Sequence, residues 1–204
     1  MEKKKRFAQL ALEDLGPDAR PVAEEIIRVS SSGLGGPYNA MLRSPVMADR
    51  LKRLLDYLRF GTSLPRRLNE FAILIQGRLW SAQVEWHVHC PLAVKAGLAE
   101  SVAADLQEGR RPASMQPDEA AVYDFCVELS TRHEVSDATF ARARKLLTDQ
   151  QIVDLIAVSG TYVTVAMLLN VSEAAIPAGH PLPLAPLPAD AFASGARTEP
   201  ATRQ

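Results

Sequence analysis

The chain has 204 residues, 23 Lys and Arg against 24 Asp and Glu, and a formal net charge of -1. At this length one domain can bury roughly 70% of the surface its unfolded form exposes, while a nearly neutral charge provides no field to hold nucleic acid or an anionic membrane. Its two cysteines, Cys90 and Cys126, lie far apart and form no C-x-x-C pair. A disulfide framework and a dithiol redox centre are therefore poorly supported, and a reducing cytoplasm fits best.

The start, MEKKKRFAQLALEDLG, is basic like a signal peptide, but Glu13 and Asp14 break its apolar stretch and no small-residue cleavage site follows. It reads as a solvated N-terminal arm or short helix, with the arm covering residues 1–20. Period-two alternation is scarce and helical spacing of apolar residues recurs throughout, so the fold is predicted to be all-α. A first helix spans Pro21 to Val29, followed by the glycine loop SSSGLGGPYNAMLRS, read as irregular and long enough to carry function.

Ser44 and Pro45 read as an N-cap and first helical residue, opening a helix to about Phe60 with an apolar stripe of Val46, Leu51, Leu54, Leu55 and Leu58. A third helix runs from Pro65 to about Leu79 and a fourth from about Gln83 to Ala96, closed by Gly97. Further helices follow at Glu100 to Gln107, Pro117 to Thr131, Asp137 to Leu147 and Asp149 to Val171, the last opened by a Thr148/Gln151 capping box. The apolar run Leu155 to Leu169 is shorter than the roughly 20 residues of a bilayer span and reads as a core helix. The helical domain thus covers residues 21–177, and residues 178–204 are an extended Pro/Ala-rich tail, either disordered or an arm lying on a neighbouring subunit.

The chemistry concentrates in RRLNEFAILIQGRLWSAQVEWHVHCPLAVKAGL, residues 66–98. Glu85 and His89 are four apart on one helix face, where the carboxylate can orient the imidazole as a minimal acid/base unit; the same spacing also occurs in ordinary exposed ion pairs. Glu70, opening the apolar run of the preceding helix, is expected to meet His89 across the helix hairpin. Two carboxylates flanking one histidine separate pKa values into an acid and a base. His87 falls nearly opposite His89, so the two make an improbable metal site, and no metal is expected.

Cys90, beside His89, reads as an inert buried thiol rather than a reactive thiolate, and Cys126 as core. Trp80 and Trp86 either wall a pocket or fill the core. Tyr162 and Asn170, polar groups in an apolar helix, are either pocket-lining or satisfied core residues.

The run LNEFAIL, then Arg78, then VEWHVHCPLAVKAGL resembles the central helix pair of carboxymuconolactone decarboxylase-like proteins of the alkylhydroperoxidase-D-like superfamily, as do GGPYNAMLRSP, LRFGTSLP and LTDQQIVDLIAVSGTYVTVAMLLN. The resemblance spans roughly Val29 to Pro177 and implies an alkylhydroperoxidase-D-like helical bundle. In the superfamily's peroxidase branch the relay reads Glu, Cys-x-x-Cys, His. Here Glu70 and His89 match the ends, while Ala82 and Glu85 stand where the cysteines would be. Peroxide reduction needs an attacking and a resolving thiol, so proton chemistry is favoured over redox chemistry.

The resemblance implies a cofactor-independent lyase (decarboxylase) or isomerase acting on a small unsaturated acid or lactone, with Glu70, Glu85 and His89 as catalytic residues. Arg78 is the first candidate to hold the substrate carboxylate, with Arg43 and Arg59 behind it. Trp86, Tyr38 and Asn39 are candidate substrate contacts. Single-cysteine peroxidase activity through Cys90 and a non-catalytic ligand-binding module are the alternatives. A homo-oligomer, trimer or hexamer, is implied, with a small molecule as partner and neither nucleic acid nor membrane.

Overall fold

A computed structural model describes residues 6–30, 33–188 and 191–192. Expectations for residues 1–5, Ser31, Ser32, 189–190 and 193–204 lie outside the described residues. The described chain is all-helical, as expected, with α1 (Arg20–Val29), α2 (Tyr38–Met41), α3 (Pro45–Phe60), α4 (Arg66–Leu79), α5 (Gln83–Lys95), α6 (Glu100–Gln107), α7 (Pro117–Arg132), α8 (Asp137–Arg144) and α9 (Asp149–Ser172). A single 3-10 turn, Leu12–Asp14, precedes them.

Helix α4 is the axis of the bundle. Every residue from Leu68 to Arg78 is buried, because α5, α7 and α9 pack around it. A helix enclosed on all sides should be apolar all round, and Phe71 to Ile75 meets that demand. Asn69, Glu70, Gln76 and Arg78 do not, and each must find a partner in the interior. Asn69 does so by donating to the Leu58 carbonyl at 3.0 Å and accepting from Thr62 Oγ1 at 3.4 Å. It thereby ties the end of α3 to α4.

Several local expectations are met. Thr148 and Gln151 form the reciprocal capping box at the start of α9, and Gly97 takes a left-handed φ of 103° after α5. Others are corrected. The glycine loop contains the one-turn helix α2. Ser44 occupies the N-cap of α3 without a capping bond from its side chain, and α8 stops at Arg144 rather than Leu147.

The buried row of α3 is Ala48, Lys52, Leu55 and Leu58, leaving Val46 73% and Leu54 41% exposed. Leu54 stands two residues from Lys52 and hence far around the helix. The choice of face was made by α1, whose Glu25 holds Lys52 Nζ at 3.0 Å while Asp56 holds it at 2.6 Å.

Both termini of the described chain pack on it. The N-terminal arm, expected to be solvated, buries Leu15 and Ala19 with Ala23, Ile26 and Leu42 in a second small core. Asn39 clamps the arm by exchanging two hydrogen bonds with the Leu10 backbone, at 3.1 and 2.9 Å. At the other end Leu184 is buried, and Gln83 both donates to its carbonyl and accepts from its N–H, at 2.8 and 2.9 Å. This part of the tail is not free. An apolar anchor and satisfied backbone groups hold it on its own chain.

Helix α9, at 24 residues, is long and apolar enough to cross a membrane, which the shorter count from Leu155 to Leu169 had missed. More than half of that span is buried against α3, α4, α5, α7 and α8, the position of a core helix.

Candidate active site

The short link between α4 and α5 makes them an antiparallel hairpin, so the start of α4 faces the middle of α5. Glu70, fully buried, meets His89 there: Nδ1 lies 2.7 Å from Glu70 Oε2. On its other oxygen Glu70 receives the Arg66 guanidinium at 2.6 Å, one turn back on the same helix, in an ion contact without the alignment of a hydrogen bond. With Glu70 serving as acceptor to a cation, the His89 nitrogen facing it is the donor. Nε2 is then the unprotonated nitrogen of a neutral ring.

Neutrality is what the surroundings favour. Burial depresses the His89 pKa, outweighing the raising effect of Glu70, and the charges of Arg59 and Arg66 depress it further. The Tyr162 ring meets the imidazole edge-on, with centroids 5.1 Å apart and planes at 87°. Burial drives the Tyr162 phenol far up, so it stays protonated.

Glu85 sits one turn before His89 on α5, 2% exposed, and neither carboxyl oxygen has a hydrogen-bond partner. Burial raises its pKa well above the ordinary carboxyl range, which favours the proton-bearing acid over the carboxylate. Space for it comes from Gly77: a Cβ there would stand 3.0 Å from Glu85 Oε1. Gly77 lies seven residues after Glu70, on the same face of α4. That face therefore presents a carboxylate to His89 and a gap to Glu85.

The roles expected within this trio are thus exchanged. Glu70, rather than Glu85, orients His89, because the hairpin brings Glu70 to Nδ1 while Glu85 is directed at the α4 backbone. Arg66 and Gly77 were not singled out from the sequence. Their signals were present, at four and seven residues from Glu70 on one helical face.

The expected substrate contacts are placed differently. Arg78 is 1% exposed and directed at the Ser81 hydroxyl, 3.2 Å, and the Ala185 carbonyl, 3.0 Å. Trp86 belongs to the main core, and Asn39 is engaged with Leu10. Arg43 likewise donates to the carbonyls of Asn39 and Ala8 and covers the Phe7 ring. Tyr38 is half-buried at α2. Arg59 is near: its charge bears on both His89 and Tyr162.

Cys90 is half-buried on the main core and burial raises its thiol, opposing a thiolate. Cys126 is core, its thiol pushed up to about 12 by burial and 3.4 Å from Ser159 Oγ. His87 turns away from His89 to meet the His180 ring at 5.1 Å. Asn170 is exposed, donating to the Trp80 carbonyl at 2.8 Å. Among the described residues no group of three or more His, Cys, Asp or Glu side chains is placed to hold a metal ion.

With this geometry in hand, the fold finds relatives only among solved structures. No family profile matches the chain, and no curated protein matches it. A crystal structure described as an alkylhydroperoxidase AhpD core, an uncharacterized peroxidase-related protein from Ralstonia eutropha JMP134, superposes with a TM-score of 0.72 at 16% identity, covering 87% of this chain and 95% of that one. An uncharacterized peroxidase-related protein from Silicibacter sp. TM1040 gives 0.70 at 16% identity, covering 87% and 96%.

A protein of unknown function from Agrobacterium tumefaciens, described as a candidate antioxidant defence protein AhpD, gives 0.60 at 17% identity, covering 68% and 96%. The fold is AhpD-like. Identities this low establish the architecture alone.

Proposed function

We propose that this AhpD-like protein is a cofactor-independent acid/base enzyme, a carboxymuconolactone decarboxylase-like lyase or an isomerase, acting on a small unsaturated carboxylic acid or lactone. The observation that supports the reading is the buried 2.7 Å contact between Glu70 and His89, with the Glu85 carboxyl, whose pKa burial raises, one helical turn away. One group is a base with a free nitrogen and the other an acid with a proton to give, the separation of roles that general acid/base catalysis needs.

In decarboxylation, the bond from the substrate carbon to its carboxylate breaks, its electron pair spreads into the conjugated system and carbon dioxide leaves. Glu85 then delivers its proton to carbon and regains one from solvent. In isomerisation, His89 Nε2 removes a proton beside the carbonyl and Glu85 supplies one at the far end of the conjugated system. Glu70 and Arg66 hold the imidazole tautomer and orientation throughout.

The test is proton NMR of the purified protein in deuterium oxide with a panel of lactones and unsaturated dicarboxylates. Carbon-bound deuterium that disappears in His89→Gln supports the reading. Absence of incorporation across the panel overturns it and leaves a binding module.

We further propose a cytoplasmic homo-oligomer, trimer or hexamer. Support comes from the exposed apolar residues Val153, Ile156, Met167 and Val171 on α9 and from the two free thiols. A monomer by light scattering at micromolar concentration would refute the assembly.

A further inference from the structure

The arginines around the buried seam differ in what they hold. Arg66 contacts Glu70, Arg67 is tied to Asp118 and Glu119, and Arg78 and Arg43 donate to backbone carbonyls. Arg59, in the last turn of α3, has a buried Nε without a partner, and among the described residues its guanidinium makes no hydrogen bond or ion pair. It is nevertheless close to the chemistry. Arg66, the partner of Glu70, donates to the Arg59 backbone carbonyl, and the Arg59 charge bears on His89 and Tyr162.

Beside it stands Phe60, 71% exposed, with the Arg59 and Arg66 guanidiniums 5.1 and 5.7 Å from the ring centroid. A buried N–H donor without an acceptor is costly, and a guanidinium is shaped to take a carboxylate through two parallel bonds. A flat aromatic face next to it suits a flat conjugated chain.

We propose that Arg59 is the anchor for a carboxylate of the substrate, which makes the substrate a planar unsaturated carboxylate and directs its carbon skeleton toward His89 and Glu85. This assignment rests on the acid/base reading of the Glu70–His89 pair, and it transfers to Arg59 the role that the sequence suggested for Arg78. Arg66, held by Glu70, keeps the site cationic without competing for the same anion.

The experiment titrates wild type, Arg59→Gln, Arg59→Lys and His89→Gln with trans,trans-muconate and with its uncharged dimethyl ester by calorimetry, with circular dichroism to verify the fold. Wild type should bind the dianion at least about tenfold more tightly than the ester. Arg59→Gln should weaken the dianion by about 10- to 100-fold and leave the ester unchanged, Arg59→Lys should be intermediate, and His89→Gln should keep the preference for the dianion over the ester.

An unchanged Kd for muconate in folded Arg59→Gln overturns the proposal, as does a wild type that fails to bind muconate at about 10 mM. Deuterium incorporation is measured in parallel. Loss of anion binding in Arg59→Gln without exchange in any variant supports the anchor while removing the acid/base reading. Exchange that persists in Arg59→Gln with unchanged KM removes the anchor alone.

Discussion

Asp154 and Glu85 are both buried carboxyl groups, and the fold treats them in opposite ways. Asp154, on α9, accepts from the Tyr57 hydroxyl at 2.9 Å and from the N–H and hydroxyl of Ser63 at 2.8 and 2.7 Å, fastening α9 to α3 and to the turn before α4. Burial alone would raise its pKa, but these three bonds outweigh it and the pKa falls. Glu85 accepts nothing, and burial raises its pKa without opposition. A charge whose bonding capacity is filled holds structure together. A polar group kept dry and unfilled is poised to act on something that arrives later.

The sharpest break of this contrast is at His89. His89→Gln should lower the rate of carbon-bound deuterium incorporation by about a thousandfold or more while leaving the helical circular dichroism intact. A collapse of the fold instead would put His89 in the structural class with Asp154. In the other direction, Asp154→Ala should destabilise the protein by about 3 kcal/mol in urea unfolding, because three donors lose their acceptor together. If the loss were below about 0.5 kcal/mol, the filled cluster would not be holding α9.

Leu184→Ala should cost about 2 kcal/mol in the same assay if the described part of the tail belongs to the core, which its burial indicates. The effect of Glu85→Gln should appear in the pH dependence of stability. Between the ordinary carboxyl value of 4.5 and the raised value of folded Glu85, the folded state keeps a proton that the unfolded chain has released. Wild-type stability therefore falls as pH rises through this window, by up to about 1.4 kcal/mol per pH unit for one proton. Glu85→Gln should remove that slope in urea titrations repeated across pH.

The smallest effect on stability is expected for Gly77→Ala. A new methyl 3.0 Å from Glu85 Oε1 must displace the carboxyl, while alanine gains about 1 kcal/mol of helix propensity that offsets the crowding. Turnover should drop with less than about 1 kcal/mol change in unfolding free energy; unchanged turnover would mean that the position of Glu85 does not matter.

Much of the fold was legible because helix periodicity, proline and glycine punctuation and capping pairs are local. The Thr148/Gln151 box and the helix opening at Gln83 with Gly97 beyond its end needed no distant partner. The face of α3 was misread because Val46 and Leu54 are as apolar as the residues that are buried, and only α1, through Glu25 and Lys52, distinguishes them. Arg78 shows the same limit at the site: its place within the motif is local, but the Ala185 carbonyl that occupies it lies 107 residues away.

The sequence by itself determined the helical class, the presence of Glu70, Glu85 and His89 on two adjoining helices, and the absence of the cysteine pair. These follow from residue identity and from spacing along a 3.6-residue turn. Only the tertiary structure decided which carboxyl bonds to His89, which one burial pushes toward its protonated form, and which arginine is left without an acceptor. Those are questions of hydrogen-bond partnership and burial, and both are set by segments that are distant in the chain and close in the fold.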